Sequence, residues 1–169
     1  MSTENLITIV NENDEPIGSA TISEARQKGL IHRIVRIMVE DSNNRILLQK
    51  RSNNMESYPG CWDHSAAGHV DYHEGYLSAA KRELFEEIGI IAESLEEIDT
   101  YFSENESGGQ IIKRFNRAYK HVSDTEKTKL QESEVEEVKW FTLDEIKRYI
   151  KDYPDKVTDG LEYVISRYY

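Results

Sequence analysis

Three glutamates, Glu83, Glu86 and Glu87, stand at i, i+3 and i+4 in a chain of 169 residues. On a helix that spacing gathers their carboxylates on one side. Like charges so placed cost roughly 0.2–0.5 kcal/mol per pair on an exposed helix. A divalent cation reverses the sign of that interaction, and oxygen donors are the ligands that Mg²⁺ and Mn²⁺ prefer. Arg82 lies four residues before Glu86 and can hold its carboxylate in place. A Glu-rich helix with no other feature is an ordinary solvated face. This one follows Ala66-Ala67-Gly68-His69, read as a glycine-containing loop in which a backbone carbonyl can complete a hard-cation site.

The elements that must position these groups can be read in outline. Gly75 to Ile88 is a helix, with Leu77, Ala80, Leu84 and Ile88 at helical spacing as its buried stripe. Gly89 sits where a left-handed C-terminal residue belongs. Upstream, Leu6 to Val10 reads as a strand before the Asn11–Pro16 turn, and Ser23 to Gly29 as a short capped helix. His32 to Glu40 and Arg45 to Arg51 read as strands joined by the Asp41–Asn44 turn. Downstream, Ile98 to Ser103, Ile111 to His121 and Val135 to Phe141 read as strands. Thr142-Leu143-Asp144-Glu145 is a capping box opening a helix, Pro154 breaks it, and a last helix runs from Leu161 to Tyr168. Strands and helices interleave without strict βαβ order, so the fold class is α+β, a mixed sheet with helices on its faces. One domain covers 1–169, with a strand–turn–helix extension at 1–30 and C-terminal helices at 142–169.

Composition bounds the rest. With 21 Lys and Arg against 32 Asp and Glu, the net charge is −11. Such a chain does not attract a nucleic-acid backbone through its overall field, and no basic tract exceeds a dipeptide, so a long nucleic acid is not an expected partner. No apolar run is long enough to span a bilayer, and no membrane partner is expected. Cys61 is the single cysteine, which suits a reducing compartment. The Met1–Asn5 start has neither a basic nor an apolar leader. A cytoplasmic protein, monomer or homodimer, is expected.

The stretch 68–90 carries a recognisable signature: Gly, five residues, Glu, seven residues, Arg-Glu, an aliphatic, any residue, Glu-Glu, any residue, Gly, an aliphatic. Gly68, Glu74, Arg82, Glu83, Leu84, Glu86, Glu87, Gly89 and Ile90 fill it without a departure. A chance match in a chain of this length is on the order of 10⁻⁷. The chain resembles the Nudix hydrolases over most of its length. The resemblance implies an α/β/α sandwich with a mixed β-sheet. It also implies Mg²⁺- or Mn²⁺-dependent attack of water on a small-molecule diphosphate. Glu83, Glu86 and Glu87 would be metal ligands, with the Gly68 carbonyl as a further one. Arg82 would orient the glutamates, and Glu74 and Gly89 would be structural. Metals suit that chemistry, because they polarise phosphoryl oxygens and lower the pKa of the attacking water. Family members place the general base differently. In this chain Glu134, on the loop before Val135, is the expected base, with Glu132 behind it. Lys50 and Arg51, at a strand end, would contact substrate phosphate.

A narrower resemblance runs through Gly29–Arg33, Leu47–Arg51, Pro59–Asp63 and Ala67–His69, which look like isopentenyl-diphosphate isomerase and its Nudix-hydrolase relatives. The isomerase carries its catalytic Cys just before Gly-His. This chain has Ala67 there, with Cys61 displaced. The isomerase's paired glutamates would fall near Ile111–Arg114, where no carboxylate stands. His32 and His69 match isomerase metal-binding histidines and would line the substrate pocket here. Trp62, Tyr72 and Tyr76 either stack on a base or pack a loop. The intact signature favours a hydrolase. A non-catalytic ligand-binding domain and an isomerase-like activity are the alternatives. The substrate, the number of metals and the oligomeric state are left open.

Overall fold

Alternation along one strand organises the molecule. Ile31–Glu40 (β3) sends Val35, Ile37 and Val39 into one apolar cluster and Met38 into another, as the period of two requires. The computed structural model describes residues 5–125 and 127–169. Met1–Glu4, the start of the 1–30 extension, and Glu126 lie outside the described residues.

In chain order, β1 (Leu6–Val10) and β2 (Pro16–Thr21) form a hairpin that leads into α1 (Ile22–Gln27). Next come β3, β4 (Ile46–Arg51), β5 (Trp62–Asp63), β6 (Ala66–His69) and α2 (Tyr76–Ile88). Then follow β7 (Glu96–Ser107), β8 (Gln110–Val122), β9 (Val135–Phe141), α3 (Leu143–Asp152) and α4 (Asp159–Tyr168). All nine strands join one mixed sheet. β8 runs parallel to β3 along the whole length of β3, from Ile31↔Lys113 to Glu40↔Val122. β3 also pairs antiparallel with β1 at Ile9↔His32, with β6 from Ile34↔His69 to Ile37↔Ala66, and with β4 at Val39↔Leu47. The fold is α+β, an open mixed sheet with helices on both faces.

α2 packs on one face through Tyr76, Ala79, Ala80, Leu84 and Ile88, against Val35, Ile37, Val39 and Leu47. α3 and α4 cover the other with Ile146, Leu161, Val164 and Ile165 against Met38, Ile46, Leu48 and Phe141. Both α1 and α3 open on capping boxes, Thr21 with Glu24 and Thr142 with Glu145. Among the described residues no helix is long and apolar enough to cross a membrane.

Four sequence readings change. The cap of α1 is Thr21 rather than Ser23, because the Thr21 hydroxyl meets the Glu24 amide while the Glu24 carboxylate returns to Thr21. β2, unread in the sequence, pairs with β1 as an edge strand whose outer face is solvated, which leaves little alternation to see. Ala66–His69 is a strand, not a loop: β3 supplies the pairing that its small residues do not advertise. Leu77 is 46% exposed. α2 is rotated so that Tyr76 is buried instead, with its hydroxyl donating to Asp14 at 2.9 Å and its ring between Arg33 and Arg117.

Candidate active site

The glutamates are placed by the inner face of α2 and the edge of β6. Glu87 is buried on the core side of the helix, one residue before Ile88. Its Oε2 accepts from Gln49 Nε2 at 2.6 Å and from the Ala67 amide at 3.1 Å. Burial, then the charge of Glu83, holds its carboxyl well above the usual range. Glu83 is one turn earlier and mostly buried. A Cβ on Gly68 would overlap its carboxylate, so glycine there lets the β6 backbone approach it directly. Burial pushes Glu83 up to about 7 against the pull of Arg82. Glu86 is half exposed at the mouth.

Arg82 ties these groups together. Its Nη1 donates to Glu83 at 2.8 Å and to Glu86 at 3.1 Å. Nε and Nη2 each donate to Glu74 at 2.9 Å, and Nη2 also reaches the His69 carbonyl at 3.0 Å. Glu74 in turn accepts from the Asp71 amide at 3.1 Å. One guanidinium therefore joins the helix, the preceding loop and the end of β6, with the bidentate geometry that arginine supplies.

The end of α2 brings in a fourth carboxylate. A helix leaves its last carbonyls without partners. Here Ile88 O accepts from the Lys129 amide at 3.0 Å and Glu87 O from the Gln131 amide at 2.9 Å. Gly89, at φ 76°, lets the chain turn out of the helix. The loop so held turns back at Gln131, whose carbonyl accepts from the Glu134 amide at 2.9 Å, and the Glu134 carbonyl accepts from Ser52 at 2.7 Å. Glu134 then lines the same cavity of about 610 Å³ as Glu83, Glu86 and Glu87, and its charge adds to what raises Glu83 and Glu87. Glu132 is exposed and outside the lining.

The other expected residues divide. Arg51 lines the cavity, with Nη1 3.2 Å from Asp63 and Nε 3.0 Å from the Ser57 carbonyl. Lys50, its neighbour, points elsewhere and pairs with Glu136 at 3.5 Å. His69 lines the cavity, whereas His32 lies buried behind it, stacked at a centroid distance of 5.3 Å. Burial pushes His32 down to about 4 and His69 well below its ordinary value, so both rings are neutral at neutral pH. Trp62 packs edge-on to Phe141 and Tyr72 stacks on His73. With Tyr76 buried, none of the three lines the cavity. Cys61 is buried against the carbonyls of Pro59 and Asp155, its thiol pushed up by burial.

Sequence reasoning missed Arg36, Arg114, Tyr58 and Asp159, all of which line the cavity. Only Arg36 left a signal: it is the one charged residue within the apolar run Ile34 to Val39.

The acidic end fits a hard cation in its chemistry. Carboxylate oxygens surround a single guanidinium, two of the carboxylates are buried, and Gly68 opens the β6 backbone beside them. As they stand, Arg82 bridges Glu83 and Glu86, and no three ligating side chains already surround one point among the described residues.

A family model described as NUDIX domain matches residues 30–161. The chain is 36% identical over 135 residues to the uncharacterized Nudix hydrolase PA4841 of Pseudomonas aeruginosa, covering 80% of this chain and 77% of that protein. It is 29% identical over 168 residues to isopentenyl-diphosphate Delta-isomerase 2 of Photorhabdus laumondii, covering 95% and 94%. Among solved structures, DR0079 from Deinococcus radiodurans superposes with a TM-score of 0.81 at 20% identity, covering 97% and 99% of the two chains.

Proposed function

The chain belongs to the Nudix family and is a Nudix-type hydrolase, and from that premise we propose that it uses Mg²⁺ or Mn²⁺ to cleave the diphosphate link of a small organic diphosphate. One observation carries this reading: Glu83, Glu86, Glu87 and Glu134 meet at one end of a single cavity with Arg82 among them.

Glu83, Glu86, Glu87 and the Gly68 carbonyl would hold the cation. Bound there, it would polarise phosphoryl oxygens and make water a stronger nucleophile at neutral pH. Gln49 and the Ala67 amide fix the orientation of Glu87. Arg82 is a positioning residue, since its bonds to Glu74 anchor the guanidinium that steadies Glu83 and Glu86. Glu134, on the loop before β9, takes the proton of the attacking water at its carboxylate. Arg51, held by Asp63, offers its remaining N–H groups to substrate oxygens. His69 lines the pocket as a neutral group.

The isomerase reading has less support. Ala67 lines the cavity, and the one thiol, Cys61, lies outside it. A proton shuttle across a double bond needs an acid and a base, and no cysteine is there to serve.

The test is a panel of nucleoside triphosphates, nucleotide sugars, dinucleotides and isopentenyl diphosphate. Each is incubated with and without Mg²⁺ or Mn²⁺, and the products are weighed by mass spectrometry. Metal-dependent cleavage of at least one diphosphate is expected. Binding of metal and ligand with no cleavage in the whole panel would turn the reading toward a non-catalytic domain. Isomerised but uncleaved isopentenyl diphosphate would overturn the argument from Ala67.

A further inference from the structure

Three guanidinium groups in the cavity, those of Arg26, Arg36 and Arg114, play no part in the chemistry above. Because Val35, Ile37 and Val39 face α2, the residues His32, Ile34 and Arg36 face the opposite side of the sheet. Arg114 of β8 is the register partner of His32 and joins them there. The cavity therefore passes from the glutamates of α2, around Ala67 and Gly68 of β6, to this second face. At its arginine-rich end Arg36 lies on β3 in register with Ala67 of β6, and Arg114 lies one strand further on, on β8.

The arginines of this end differ in their pairing. Arg51 meets Asp63 and Arg26 meets Glu56. Arg36 donates through Nε to Asn116 at 2.9 Å, and its guanidinium lies so close to Gly160 that a Cβ there would overlap it. Arg114 has a buried Nε without a hydrogen-bond partner. Among the described residues no carboxylate stands within 4 Å of either Arg36 or Arg114. The nearby carboxylate whose field favours the charged Arg114 is that of Asp159, and it accepts from the Gly160 amide at 2.7 Å. Burial, with Arg36 and Arg26, pushes Arg114 down to about 10. A half-buried cation among like charges is costly when nothing anionic completes it, and such costs are characteristically kept where a ligand needs them.

We infer that Arg36 and Arg114 form a second anion subsite, which receives a phosphate or carboxylate carried on the organic part of the substrate, away from the diphosphate. This deepens the hydrolase reading and rests on it. The favoured substrate is bis-anionic. Tyr58 is the one Phe, Tyr or Trp side chain in the described lining, so this end is built for charge rather than for sandwiching a base.

Matched substrates test it. With Mg²⁺, coenzyme A is compared with 3′-dephospho-coenzyme A, and ADP-ribose with its 2′-phosphate. An alkyl diphosphate ending in a carboxylate is compared with one ending in methyl. In at least one pair the charged member should be favoured about tenfold or more in kcat/KM. Arg114→Gln should bring that ratio close to one. A ratio near one in every pair for the wild type, or a ratio that survives Arg114→Gln, overturns the subsite.

A second arm needs no turnover. In EDTA, inorganic phosphate and malonate are titrated calorimetrically. Wild type and Glu86→Gln should both bind at least one of them, and Arg114→Gln should bind at least tenfold more weakly. Arg114→Lys, which keeps the charge, should fall between, and it serves in place of Arg114→Gln if that variant does not fold. Anion binding without any hydrolysis would count against the hydrolase reading alone. Hydrolysis with neither charge preference nor metal-free anion binding would remove the subsite alone.

Discussion

Each carboxylate at the acidic end has a different environment, and the difference sets what its loss should do. Glu87 is buried and held by Gln49 and Ala67 N, while Glu86 stands at the mouth on Arg82. Glu86→Gln and Glu87→Gln should each lower kcat/KM by at least about 10²-fold, measured on whichever substrate the panel identifies. Near-wild-type turnover in both would remove the metal assignment. Glu134 touches the site from another element. Glu134→Gln should lower kcat by roughly 10²–10⁴-fold, the usual worth of a general base, with Mn²⁺ affinity unchanged in a direct titration. An unchanged kcat would put the base elsewhere.

Among the elements, the end of α2 does more than stop a helix. Its last carbonyls hold the loop that carries Glu134. Gly89 combines a left-handed φ of 76° with a close approach, since an added Cβ would sit 2.8 Å from the Lys129 amide nitrogen. Gly89→Ala is therefore strained twice, in its backbone and against the loop. It should cost about 1–3 kcal/mol in urea unfolding and should also lower kcat, because the loop moves. Thr142→Ala is the comparison. It loses the capping box of α3, remote from the cavity lining. It should cost about 1 kcal/mol and leave kcat alone. Equal effects of the two variants on kcat would show that the loop's attachment does not matter.

The whole molecule separates charge within an acidic chain. Glu83, Glu86, Glu87 and Glu134 gather with Arg82 in one part of the cavity, and Arg26, Arg36, Arg51 and Arg114 line the rest of it beside Glu56, Asp63 and Asp159. Buried titratable groups couple this arrangement to stability. His32 is fully buried and titrates near 4, below its unfolded value of 6.5. The unfolded chain therefore binds this proton first as pH falls. Stability is full above pH 6.5 and declines as pH drops toward 4, by on the order of 3 kcal/mol from this group. Urea midpoints at pH 7 and pH 4.5 should show the decline, and His32→Asn should flatten it. An equal slope in the variant would assign the acid sensitivity to other groups.

What was legible depended on range. The Gly68–Ile90 spacing is local and helical, so its residue types could be read as a set from the order of the letters. The strand Ile31–Glu40 and the capping box at Thr142 were also local patterns, and the structure carries both. Lys50 and Arg51 could not be told apart, because adjacent strand residues face opposite ways. Which of them meets the cavity depends on pairing with β9, whose register shifts between those two residues. Gly68 read as loop because Ala66–His69 has no strand pattern of its own and acquires one only by lying against β3. The sequence by itself determined the acidic cluster, its arginine and the mixed α+β class, since each follows from spacing within a few residues. Only the tertiary structure decided that Glu134, Arg36, Arg114 and Asp159 share one cavity with it. They come from four separate segments, and their meeting is set by strand pairing and helix packing between residues far apart in the chain.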